Sequence, residues 1–403
     1  MGIKIKPTKS EKDLVIDDHD RYSRMRLIGW WEQERISNAR VLVVGAGALG
    51  NEVLKNLALL GFGHIVLIDF DTVDESNLTR SVLFRSSDAG LPKSEVAAAM
   101  IAELNPDCDV DIINGNVLTD IGLGLVRDMD VVIGCLDNRE ARLWVNRMCW
   151  KVCTPWIDGG IQEINGVAKV FQPPDGACYE CTMTEMDYKL ISLRYSCPLL
   201  KQEDILQGKV PTAPTIASII GGIQVQEALK LIHGLPATDG AALVFNGAAN
   251  RFYETRYPVN EDCMSHEFYD PPMESPLGRD SSLSDVFDWV GSQTGETPVR
   301  MQLDRDFLTE LNCRSCDRRV EINQSRCLVE SSRGICDQCQ MPMQSEALFA
   351  VDAGTELASR SMAELGIPAY DIVKIETDKS VRFVLLTGDR NVFRFSKENG
   401  HGL

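Results

Sequence analysis

The sequence predicts an α/β fold: a doubly wound, mostly parallel, Rossmann-like sheet, with a zinc-ribbon and a small α+β module towards the C-terminus. Three observations predict it. An apolar run at 41–44 enters a glycine turn, Gly45, Gly47 and Gly50, and leaves it as an amphipathic helical pattern carrying Val53, Leu54, Leu57 and Leu60. Strand and helix patterns then alternate as far as Trp150, the signature of a parallel sheet covered by helices. Farther along, two C-x-x-C knuckles, Cys313 with Cys316 and Cys336 with Cys339, stand close together, a spacing that rarely serves any purpose but zinc.

Composition narrows the function classes. With 403 residues, 44% of them hydrophobic, the chain can bury a sizeable core and form more than one domain. A net charge of -18 argues against nucleic acid or an anionic membrane as the main partner. The sequence contains no apolar run long enough to span a bilayer, and its N-terminus, MGIKIKPTKSEKDL, lacks an apolar signal segment. A cytoplasmic location is expected. There, 13 clustered cysteines read as metal ligands rather than a disulfide framework.

Taken in order, residues 1–15 read as a solvated leader. Residues 19–40 read as a short helix with basic Arg21, Arg24 and Arg26. The strand at 41–44 and the glycine turn let backbone approach a phosphate, which the following helix N-terminus attracts with unpaired N–H groups and its dipole. A second strand, 64–68, ends in Asp69, placed to accept from a ribose hydroxyl. The loop DFDTVDESNLTR then brings Asp71, Asn77 and Arg80, and an arginine there suits a triphosphate better than a nicotinamide cofactor. Lys93 stands just before a helix at 94–104, and 110–117 reads as a strand. A strand beginning at 130 delivers Asp137 and Asn138 at its C-terminal end, where such sheets bind ligands.

Beyond the helix that ends near Trp150, short strands with glycine turns suggest an antiparallel extension of the sheet. Cys178 and Cys181 form a C-x-x-C in a loop, and Cys263 with His266 forms a C-x-x-H. Between them, 182–212 shows no regular pattern, and long loops of that kind are usually functional. It contains Cys197, flanked by Arg194 and Lys201, whose charges would lower a thiol pKa. A largely apolar helix follows from about 214, then two strands within 243–259. The expected organisation is 1–270 as one domain, 271–282 as a Pro- and Gly-bearing linker, 283–344 as a helix plus zinc ribbon, and 345–397 as a strand, helix, strand, strand module.

The glycine turn, ribose acid, Asn, Arg, Lys and strand-end Asp, in that order, resemble the ThiF/MoeB family and the adenylation domains of ubiquitin-activating enzymes over roughly 19–266. The resemblance implies ATP as nucleotide, with Gly45, Gly47 and Gly50 at the phosphates, Asp69 at the ribose, Asn77, Arg80 and Lys93 on the phosphates and Asp137 on Mg2+. It implies a homodimer in which Arg24, in the R-Y-S-R segment, reaches into the neighbour's site. It also implies a structural Zn2+ on Cys178, Cys181, Cys263 and His266, with His where the family usually has Cys, and Cys197 as the crossover-loop thiol that takes the activated acyl group as a thioester or supplies persulfide sulfur. The second substrate would be a ubiquitin-like protein with a free C-terminal carboxylate. One departure stands out: Ser81 follows Arg80 where the family usually has Gln. The 345–397 stretch resembles a small ubiquitin-like module, which in larger activating enzymes recruits a conjugating enzyme. Alternatives are adenylation for sulfur transfer to a carrier protein, as in molybdopterin or thiamin synthesis, and a non-catalytic adaptor. The glycine turn alone would also suit a dehydrogenase.

Overall fold

The structure is a computed structural model that describes residues 19–188 and 211–393. Its first layer is a sheet of eight strands in the order β3-β2-β1-β4-β5-β6-β7-β8. The strands are β1 Arg40–Val44, β2 His64–Ile68, β3 Asp109–Ile113, β4 Val131–Gly134, β5 Trp156–Gln162, β6 Asn165–Phe171, β7 Ala241–Asn246 and β8 Arg251–Arg256. All neighbours from β3 to β5 pair in parallel, and β5 to β8 continue antiparallel. The mostly parallel, doubly wound sheet is as the sequence predicts. Its strand order reverses between β1 and β4, and ligands of such sheets bind at that switch point, outside the strand C-termini.

The parallel strands read as continuous apolar runs because helices cover both faces. Helices α1 (Gln33–Asn38), α2 (Ala48–Leu60) and α3 (Lys93–Leu104) belong to this layer with α4 (Leu123–Arg127), α5 (Arg139–Lys151) and α6 (Pro214–Ile232). One buried cluster joins Val41, Val43, Leu54, Leu57, Ile65, Leu67 and Val225 on one face; another joins Leu42, Val44, Leu125, Val132, Val145 and Trp156 on the other.

Several elements differ from expectation. Residues 19–40 form a 3-10 turn at Met25–Leu27 and the separate α1, because Gly29 interrupts the helix and Trp31 turns into the core. Lys93 is the first residue of α3 rather than a residue before it, and Pro92 takes the N-cap position. Strand β3 stops at Ile113, since Asn116 starts a tight turn by accepting from the Leu118 N–H at 3.0 Å.

The second layer is a sheet ordered β11-β10-β13-β14-β9, with β12 also paired to β10. Its strands are β9 Met273–Ser275, β10 Pro298–Asn312, β11 Arg319–Ser325, β12 Gln344–Asp352, β13 Ile372–Thr377 and β14 Val381–Leu386. Strand β9 lies inside the stretch expected to be a linker and pairs in parallel with β14. The amphipathic stretch after 283 becomes helix α7 (Leu283–Thr294), capped by Ser282 and Gly295, and then the long β10. The helix expected over 355–366 is a 3-10 turn at Glu356–Ser359 followed by irregular turns, yet Met362 and Leu365 still pack on the sheet.

Candidate nucleotide site and candidate metal centres

Sheet register brings the candidate residues to one edge. Val44 lies level with Ile68 on one side and Gly134 on the other, so Gly45, Asp69 and Cys135 leave the sheet side by side. Gly45 has φ +100°, and a Cβ there would meet the Cys135 carbonyl at 2.6 Å. Gly50 is constrained by packing alone: its Cβ would stand 2.0 Å from the Gly45 carbonyl oxygen. Gly47 is the N-cap of α2 and faces open space, which leaves the backbone there accessible to a phosphate.

Asp69 closes this turn. Its Oδ2 accepts from the Ala46 N–H at 2.6 Å and its Oδ1 from the Asp71 N–H at 2.7 Å. Burial nevertheless pushes its carboxyl above the ordinary aspartate range, against those two hydrogen bonds and the nearby Lys93 charge. Lys93 is buried, and its Nζ donates to Asp71 Oδ2 at 2.7 Å. The connection is local: Lys93 N–H donates to Asp71 O and Val73 N–H to Leu91 O, folding the start of α3 back on the loop after β2. Asn77 and Arg80 share that loop. The Asn77 side-chain oxygen accepts from the Asp74 N–H at 3.1 Å, and Arg80 Nη1 donates to Ser76 O at 2.9 Å.

Asp137 lies just past β4, exposed, with Asn138 Nδ2 donating to its Oδ1 at 3.2 Å. An exposed carboxylate with one amide partner keeps oxygens available, as a hard cation such as Mg2+ requires. Arg24 is not brought to this edge. Its segment is anchored where Arg21 donates to Leu104 O, and where Tyr22 OH donates to Asp107 and accepts from Asn105. Those contacts lie at the C-terminal end of α3, whereas Lys93 starts that helix, about 18 Å away along its axis. Cys197 lies outside the described residues.

Three residues the sequence reading missed also shape the site. Asn51 on α2 donates to Ala46 O at 2.7 Å and Gly47 O at 3.1 Å, and accepts from the Leu83 N–H at 2.9 Å, tying the glycine turn to residues after Arg80. Arg142 and Asp158 form a buried ion pair, and Arg142 also donates to the carbonyl of Leu136, the residue before Asp137. A fully buried Asn on an otherwise apolar helix face, and an Asp inside the apolar strand WIDGG, were the available signals. Ser81 is itself buried beside Arg80.

Two metal-competent clusters form. Cys178, Cys181, Cys263 and His266 bring their ligand atoms within 4.8 Å of one another, as do Cys313, Cys316, Cys336 and Cys339. Sulfur pairs such as Cys178 to Cys263 at 3.5 Å and Cys316 to Cys336 at 3.6 Å approach the roughly 3.8 Å edge of a tetrahedron with zinc–sulfur bonds of about 2.3 Å. Both donor sets fit zinc. The first is held by Glu180, which lies inside its C-x-x-C and bonds Arg147, Tyr188 and Ser265, while the His266 ring stacks on Trp150 at 5.1 Å. The second sits at the end of the β10–β11 hairpin.

The model of the ThiF family matches residues 19–265 of this chain. The chain is 34% identical over 255 residues to the SAMP-activating enzyme E1 of Haloferax volcanii, covering 60% of this chain and 87% of that protein. It is 32% identical over 254 residues to adenylyltransferase and sulfurtransferase MOCS3-1 of Drosophila pseudoobscura pseudoobscura, covering 62% of this chain and 53% of that protein; it thus spans about half the length of that relative. A shorter match, 41% over 163 residues, links it to the NEDD8-activating enzyme E1 catalytic subunit of Caenorhabditis elegans, with 37% of this chain and 38% of that one covered. Among solved structures, a crystal structure of E. coli MccB with succinimide superposes with a TM-score of 0.52 at 25% identity, over 62% of this chain and 74% of that one.

Proposed function

The chain belongs to the ThiF family, and on that footing we propose that it adenylates the C-terminal carboxylate of a ubiquitin-like protein and passes the acyl group on as a thioester. Its relatives are E1-like activating enzymes and adenylyltransferases, and it is an enzyme of that class. The observation that carries the reading is the single sheet edge, at the switch point, shared by the glycine turn, Asp69, Lys93 and Asp137. ATP lies with its phosphates over the glycine turn and its ribose at Asp69. Lys93, Asn77 and Arg80 contact the phosphates, and Asp137 would hold the Mg2+, which supplies charge neutralisation to the leaving pyrophosphate.

A carboxylate oxygen of the partner attacks the α-phosphorus as the bond to the bridging β-phosphate oxygen breaks. Pyrophosphate leaves and the acyl-adenylate remains. Positioning and charge stabilisation dominate such a step. In the second step the thiolate of Cys197 attacks the acyl carbon, AMP leaves, and a conjugating enzyme takes the acyl group. The distance between Arg24's anchor and Lys93 favours a homodimer in which Arg24 serves the partner's site.

Exchange of labelled pyrophosphate into ATP tests the first step. A ubiquitin-like protein with a free C-terminus should promote it and its amidated form should not. Lys93→Ala should lower the exchange about 100- to 1000-fold. Carboxylate-independent exchange would overturn the reading, and no exchange with any such protein would overturn it in favour of an adaptor. The similarity to MOCS3-1 favours a second reading, in which the adenylate feeds sulfur transfer; a thiocarboxylate on the partner instead of a thioester on this chain would mark it.

A further inference from the structure

Arg142, on the first turns of α5, points back to the strand ends instead of outward. Its Nε donates to Asp158 Oδ1 at 2.8 Å, and its Nη2 donates to Leu136 O at 2.5 Å and Gly159 O at 2.9 Å. The side chains are 16% and 3% exposed, so both charges have left bulk water. Desolvation makes such a pair a poor source of stability compared with apolar packing of the same volume. What the pair provides here is geometry. One planar guanidinium joins the segment after β4 to two residues of β5, Asp158 and Gly159.

That segment is the one that carries Asp137. Its start is fixed because the Cys135 N–H donates to Val44 O at 2.8 Å and the Cys135 carbonyl packs under Gly45. Its far side is fixed because Asn138 caps α5 by accepting from the Ala141 N–H at 2.8 Å, while its amide reaches Asp137. Between these points the Leu136 carbonyl belongs to the peptide that leads into Asp137, and Arg142 holds it.

We propose that Arg142, locked by Asp158, is a positioning residue that fixes the peptide bearing Asp137 and thereby sets how tightly the Mg2+ of the nucleotide is held. The inference rests on the reading of Asp137 given above. Partners of metal ligands that act one shell out commonly change metal affinity about 10- to 100-fold when removed.

The test uses the full chain and radiolabelled ATP, whose binding is followed by equilibrium dialysis while Mg2+ is titrated, with thermal melting as a control for folding. Arg142→Ala should raise the Mg2+ needed for half-maximal nucleotide binding about 10-fold or more, leaving metal-free nucleotide binding unchanged. Arg142→Lys should behave like the alanine variant, because a point charge on a flexible stem cannot bridge Asp158, Leu136 and Gly159 together. Asp158→Asn, nearly the same shape, serves if Arg142→Ala fails to fold and should shift the requirement in the same direction. An unchanged Mg2+ requirement in folded Arg142 variants, with a shift in Asp137→Ala, overturns this inference alone. An unchanged requirement in Asp137→Ala overturns the site reading and this inference with it.

Discussion

At Asp69 two demands oppose each other. The N–H groups of Ala46 and Asp71 favour the carboxylate, but burial is the larger effect and holds its pKa above the ordinary value of 3.8. A ribose hydroxyl donates best to the ionised form, so nucleotide binding should weaken as pH falls through that raised pKa, at higher pH than for an exposed aspartate. Asp69→Asn should bind unmodified ATP, followed by calorimetry, about 10-fold or more weakly at neutral pH, the cost of one charge-assisted hydrogen bond, and should lack the acid limb. Titrations across pH check this: an Asn variant that keeps the parent's pH profile would remove Asp69 from the ribose. At this scale the sequence is legible where a strand, turn, helix pattern sets a residue's place, as at Gly45, Asp69 and Lys93, which the structure brings to one edge. Arg142 and Asn51 escape such reading because their partners come from other elements: Asp158 from β5 and Leu83 from the loop after β2. Nothing local to either residue announces that partner.

Among elements, the parallel strands and their helices were legible because burial on both faces imposes long apolar runs, and the structure keeps β1, β2 and β4 almost where those runs lie. The C-terminal half was harder. The stretch 355–366 has helical apolar spacing, but its backbone bonds close locally: Ser361 and Glu364 bond each other, and Gly366 follows at φ +82°. Strand β9 is three residues long and carries no pattern of its own; only pairing with β14 makes it a strand. The Cys313 cluster is the opposite case, since ligand spacing is local. Its apolar core is small, built around Leu308, Leu311, Ile322 and Met343 with Cys313 and Cys336 buried among them, and so few side chains hold a hairpin poorly without a metal. Purified protein should carry about two zinc ions per chain. Elemental analysis of Cys316→Ser and Cys181→Ser should each show the loss of one, and Cys316→Ser should melt at lower temperature while keeping pyrophosphate exchange. A parent chain with one zinc or none would refute a cluster.

Across the whole molecule the two sheets share a core, so the C-terminal module is not a passive appendage. Tyr370, Ile372, Leu385 and Phe393 are buried together with Leu123, Leu125 and Val126 of the first layer. Asp371 accepts from the Leu123 N–H at 2.7 Å, and Tyr370 OH donates to Asp128 at 2.7 Å. At the centre of this junction Arg305 of β10 donates to Leu118 O at 2.7 Å and to Ile121 O, lies over the Trp144 ring, and faces Asp371 at 3.6 Å. Both side chains of that pair are 6% exposed, and burial pushes the Asp371 carboxyl up despite the Arg305 charge. Removing one partner of a buried pair leaves a charge without compensation, which costs far more than the pair itself contributes. Arg305→Ala should therefore destabilise the chain by roughly 3–5 kcal/mol in urea unfolding. The combined change Arg305→Met with Asp371→Asn should cost less than Arg305→Ala, although it removes both charges, because no unpaired charge remains and the Leu123 N–H keeps an acceptor. If the combined variant is the less stable of the two, the junction is held by the ion pair itself and not by the packing that Tyr370, Ile372 and Leu385 contribute around it.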